Sequence, residues 1–154
     1  MIPNLEDGVL PEGVHICSID EIEATFGRFR STDRRPRLTE KLKAYIAELQ
    51  SSSLAVAAAV VVDGSYVSSK ADPDDIDLIL VLKTDLNPAL EMTPFEYNVL
   101  SKRQVKKRFG FDVFPATDGS AAYRGLLDFF SNVRLDDPGQ ATSKKRKGLL
   151  RVEL

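Results

Sequence analysis

Residues 54–82 read LAVAAAVVVDGSYVSSKADPDDIDLILVL, two apolar runs around a polar loop. Leu54 to Val62 grows increasingly β-branched, which suits a strand buried on both faces and ending at Asp63-Gly64-Ser65. Asp72-Pro73-Asp74 signals a turn, and Ile76 to Leu82 then forms a second buried strand with Asp75 at its entry. Asp75 and Asp77 are two apart on an extended segment. Both side chains therefore leave one face, with reference atoms about 6.5 to 7 Å apart.

Upstream, Leu38, Leu42, Tyr45, Ile46 and Leu49 recur at spacings of three and four and predict a helix from Arg37. Downstream, TPFEYNVLSKRQVKKRF predicts one helix capped by Thr93, with Pro94 in its first turn, Phe95, Val99 and Val105 facing inward, and a basic end. A short strand over Phe111–Phe114, a helix over Ser120–Ser131 and a closing strand over 148–154 complete the pattern. The expected fold is α/β (α+β), a mixed central sheet with flanking helices. Residues 1–36, rich in Pro, Gly and charge, read as an N-terminal arm packed on a domain of residues 37–154. Ile19 to Phe29 is the one stretch of that arm able to turn into a helix.

The 154 residues, 43% of them hydrophobic, suffice for one core that buries roughly 70% of the unfolded surface. The net charge of -2 gives no global attraction to nucleic acid or membrane. No window approaches the roughly 20 apolar residues of a membrane span, so a soluble, cytoplasmic protein is expected. Cys17 and His15 are single and form no zinc motif, which leaves oxygen ligands for any metal.

Asp112 interrupts the apolar pair Phe111 and Val113, as a third ligand would. Three aspartates at a sheet edge repel one another unless a cation sits between them, and an all-oxygen set selects Mg²⁺ or Mn²⁺. The natural load is Mg²⁺ carrying a nucleotide triphosphate, and two ions about 3.5 to 4 Å apart could serve an in-line phosphoryl displacement. Gly64 lets the backbone approach a ligand, and Ser65 is the candidate for holding the triphosphate tail.

VDGS, nine residues, DIDL and a later FDV resemble the nucleotidyltransferase superfamily, the polymerase-beta-like fold, over Leu54 to Phe114. The stretch DGSYVSSKADPDDIDL also resembles a group of small bacterial nucleotidyltransferase-like proteins. The resemblance implies transfer of a nucleoside monophosphate from a nucleoside triphosphate (NTP) to a protein or RNA acceptor hydroxyl, with pyrophosphate leaving and two Mg²⁺ bound. It makes Asp75, Asp77 and Asp112 the catalytic metal ligands, with Asp112 also a proton acceptor. Gly64 and Ser65 would bind the β and γ phosphates, and Asp63 receives no role.

Larger relatives append a helical domain after the carboxylate strand, whereas forty residues follow Phe114 here. Nucleotide and acceptor therefore stay open. An alternative is a non-catalytic module dependent on a cognate partner protein, as in a toxin-antitoxin or phage-defence pair. A third reading is an unrelated α/β binding protein with coincidental aspartates, which a sheet placing Asp112 far from Asp77 would establish. Asp72 and Asp74 read as turn formers, and Lys70, Lys102, Arg103, Lys106, Lys107 and Lys144 to Lys147 as solvated cations.

Overall fold

The computed structural model describes residues 1–28, 33–51, 56–84, 94–134 and 143–154. Among these, five strands form one mixed sheet in the order β1-β5-β2-β3-β4. They are β1 (Gly13–Ile16), β2 (Ala57–Asp63), β3 (Asp77–Leu82), β4 (Asp112–Thr117) and β5 (Gly148–Glu153). The helices are α1 (Ile19–Ile22), extended by a π-helical turn over Glu23–Gly27, then α2 (Arg34–Gln50), α3 (Pro94–Leu100), α4 (Lys102–Phe109) and α5 (Ala121–Phe130). None of the described helices is long and apolar enough to cross a membrane.

Strand alternation sorts the side chains onto two faces. Val60, Val62, Leu78, Leu80, Val113, Leu150 and Val152 join Leu42, Tyr45 and Ile46 of α2 and Val105 and Phe109 of α4 in the larger core. On the opposite face, Ala59, Val61, Ile79, Val81, Ala116 and Leu149 pack against Tyr123 and Phe130 of α5. Both faces of β2 and β3 are covered, which explains their nearly unbroken apolar runs. Arg151 anchors α5, bonding the Tyr123 hydroxyl at 2.8 Å and forking onto Asp118 at 3.0 and 3.1 Å.

Besides small shifts such as α2 starting at Arg34 and not Arg37, the elements differ from the sequence expectation in the following places. The basic helix breaks at Ser101, whose backbone is extended and whose hydroxyl accepts from Gln104 N–H, so a second helix starts there. The strand after Gly110 continues past Pro115 to Thr117, and Pro115 is tolerated because β4 is an edge strand. Residues 13–16 form a strand parallel to β5, and Leu10, Cys17, Ile22 and Phe26 enter the larger core. The expectations for the Thr93 cap, for Leu54 and for the Phe95 side chain lie outside the described residues.

The loop between β2 and β3 is tied to α2 by a buried arginine. The Arg35 guanidinium donates to the carbonyls of Phe26 and Tyr66 at 3.2 and 2.8 Å, of Ser68 at 2.8 Å, and of Lys70. The Tyr66 hydroxyl bonds Thr39, one turn along the same helix, at 2.6 Å. A loop polar enough to serve a site is thereby held as firmly as the core. Arg35→Met should lower unfolding free energy by on the order of 3 kcal/mol or more, because buried carbonyls lose a charged donor. Urea denaturation checks this, and a change below about 1 kcal/mol would mean that other contacts hold the loop.

Candidate functional site

The pairing register builds an acidic row at one end of the α5-covered face. Asp63 of β2 pairs directly with Asp77 of β3, and Asp77 with Asp112 of β4. Registered neighbours project to the same side of a sheet, so the three carboxyls line up across three strands. Asp75, two residues before Asp77, joins them. One carboxylate oxygen each from Asp75, Asp77 and Asp112 lies within 4.8 Å of the others.

Gly64 permits this convergence. Its φ is +94°, and a Cβ there would stand 3.0 Å from Asp75 O and 3.1 Å from Asp77 N. Glycine is therefore required by the close passage of the chain carrying the two aspartates. The Ser65 hydroxyl accepts from Asp74 N–H at 3.2 Å and fixes the turn into β3.

Each end of the acidic row has a cation. Lys147 Nζ donates to Asp63 Oδ1 at 2.8 Å, and Gly64 N–H also bonds that carboxylate. Lys106 Nζ reaches Asp112 Oδ2 at 3.2 Å from α4. Among the described residues, no cation forms an ion pair with Asp75 or Asp77. Burial, then the charges of Asp75, Asp63 and Asp112, push the Asp77 carboxyl from its ordinary 3.8 up to about 6. Burial likewise raises Asp63, although Lys147 opposes it.

The carboxylates open into a cleft of about 490 Å³. Gly64, Ser65, Lys70 and Asp74 line it, together with Phe129 and Phe130 of α5 and Arg134 beyond that helix. Phe129 is 61% exposed and presents an aromatic face. Asp63, Asp75, Asp77 and Lys147 also line the cleft, whereas Asp112 stands outside its lining.

All five sequence candidates thus lie close together: Asp75, Asp77 and Asp112 converge, and Gly64 and Ser65 line the cleft with Asp75 and Asp77. Asp72 and Asp74 pair with Arg34, and Asp74 also lines the cleft. Two expectations need correction. Lys147 is not a solvated cation, since only 8% of it is exposed and it sits in the cleft. Lys70 lines the same cleft and pairs with Asp74 at 3.3 Å. Lys106 is exposed in the last turn of α4 and pairs there with Asp112. Nothing in the run SKKRK distinguishes its last residue. The missed signal was positional, because Lys147 directly precedes an apolar strand. Asp63 could have been found by counting register outward from Asp77.

Residues 3–153 match the model of a family described as "Family of unknown function (DUF6932)". No curated protein and no solved structure matches the chain.

The raised Asp77 carboxyl sets a pH dependence. A carboxyl above its unfolded value stabilises the fold below about pH 4 and loses that contribution as pH rises through about 6. Without divalent metal, wild type should therefore lose about 1 to 2 kcal/mol relative to Asp77→Asn over that window, the shift being discounted for partial solvent contact. Paired urea titrations between pH 4 and 7 test this, and a constant difference would show that the cluster exerts no such repulsion.

Proposed function

We propose that this chain, which belongs to the DUF6932 family, is a Mg²⁺-dependent nucleotidyltransferase moving a nucleoside monophosphate from an NTP to a protein or RNA acceptor hydroxyl. The observation that carries the reading is the convergence of Asp75, Asp77 and Asp112 within 4.8 Å beside the Gly64-Ser65 turn. An all-carboxylate set whose central member is pushed toward neutrality by burial and then by its neighbours fits a hard divalent cation. Asp75 and Asp77 would hold the metal from the β3 side and Asp112 from β4. When bound, Mg²⁺ neutralises the carboxylates and stabilises charge on the transferring phosphoryl group.

The remaining chemistry belongs to the chain. Ser65 and the Gly64 turn would bind the β and γ phosphates, and the exposed Phe129 ring offers a stacking face for the base. Asp112, outside the cleft, would accept the proton of the attacking hydroxyl after exchanging its contact with Lys106. The acceptor oxygen bonds to the α-phosphorus, the bond to the leaving pyrophosphate breaks, and positioning supplies most of the catalysis.

Incubation with labelled NTPs, Mg²⁺ and cell extract should label a protein or RNA acceptor. Asp75→Ala or Asp77→Ala should reduce transfer on the order of a hundredfold or more. Equal transfer by wild type and both variants would remove the carboxylates from the mechanism. Nucleotide binding without any transfer would favour the partner-dependent module.

A further inference from the structure

The buried pair Asp63 and Lys147 has no role in the chemistry above. We infer that Lys147 is a triphosphate-binding residue and that Asp63 is the positioning residue aiming its ammonium into the cleft. This rests on the nucleotidyltransferase reading and adds a cation to the triphosphate site.

Asp63 and Lys147 are 4% and 8% exposed, and their 2.8 Å contact joins β2 to the residue preceding β5. A buried ion pair is a poor way to stabilise a fold, since desolvating two charges offsets most of their attraction. Its location is informative. Both residues line the same cleft as Ser65, Asp75 and Asp77. Asp63 is in register with Asp77, yet its carboxylate is engaged by Lys147 and Gly64 N–H and does not join the three convergent carboxylates. It serves the lysine.

An ammonium carries three N–H donors. Among the described residues, Asp63 is the only hydrogen-bond acceptor for Lys147 Nζ, which leaves two donors for a ligand in the cleft. The main chain holds the lysine as well, because Lys147 N–H donates to Ser131 O at 2.9 Å. A cation fixed on the floor of an acidic cleft suits the anionic oxygens of a polyphosphate, whose own charge the neighbouring aspartates would otherwise repel.

Inorganic tripolyphosphate with Mg²⁺ is the probe, its affinity read by calorimetry and stability by thermal melting. Lys147→Met alone should destabilise the protein by leaving Asp63 unpaired. The double variant Asp63→Asn, Lys147→Met should recover most of the melting temperature, yet bind on the order of ten- to a hundredfold more weakly than wild type. Lys147→Arg should retain most affinity. In wild type labelled with ¹⁵N-lysine, the Lys147 Nζ resonance should shift on adding the probe, a readout needing no variant. A double variant that binds like wild type, or an unmoved resonance under saturation, would overturn the inference. If Asp77→Asn still abolished binding, the parent reading would survive. A wild type with no affinity for the probe would overturn both.

Discussion

Four carboxylates share one end of one sheet face, and the repulsion among them is the constraint to which the surrounding structure answers. Asp63, Asp77 and Asp112 are fixed in a row by strand register, and Asp75 follows from its place two residues before Asp77. The outer members are each compensated, Asp63 by Lys147 and Asp112 by Lys106. The inner pair, Asp75 and Asp77, forms no ion pair among the described residues, and although the Arg134 charge opposes the shift, the Asp77 carboxyl is driven toward neutrality. A charge deficit confined to the centre of an otherwise neutralised row is where a bound cation would act.

The row could not exist without a rigid loop behind it. Residues 64–76 leave one core strand and re-enter its neighbour, and a loop of this polarity would ordinarily be mobile. Here Arg35 gathers its carbonyls, Tyr66 is sealed beneath it against Thr39, and the Ser65 hydroxyl fastens Asp74. Gly64 admits the backbone of Asp75 and Asp77 at a distance that a Cβ would crowd, with a φ of +94° that favours glycine. Stability and site geometry are therefore coupled through α2, the helix whose hydrophobic face also fills the larger core.

Much of this was legible in the sequence because it depends on local pattern. The apolar runs of β2 and β3, the period of α2, and the spacing from Gly64-Ser65 to Asp75 and Asp77 identified the mixed sheet with flanking helices and brought all five candidates together. What was missed depends on long-range placement. Residues 13–16 form a strand only because β5 offers an edge, and four residues carry too little periodicity to announce it. Lys147 belongs to a basic run by composition and to the cleft by position, and the pairing of β5 with β2 is what brings it beside Asp63. Arg35 shows no sign of burial in RRPR, since three of the carbonyls that accept from it, those of Tyr66, Ser68 and Lys70, are more than thirty residues away.

The central claim is that Asp75, Asp77 and Asp112 hold a divalent metal that engages a triphosphate. Anomalous diffraction from crystals grown with Mn²⁺ and a non-hydrolysable NTP analogue tests it most directly. The expected result is Mn²⁺ density within about 2.0 to 2.6 Å of oxygens from all three carboxylates, with the phosphates beside Ser65. Ordered crystals at saturating Mn²⁺ with no metal among these carboxylates, and Lys106 still on Asp112, would contradict it.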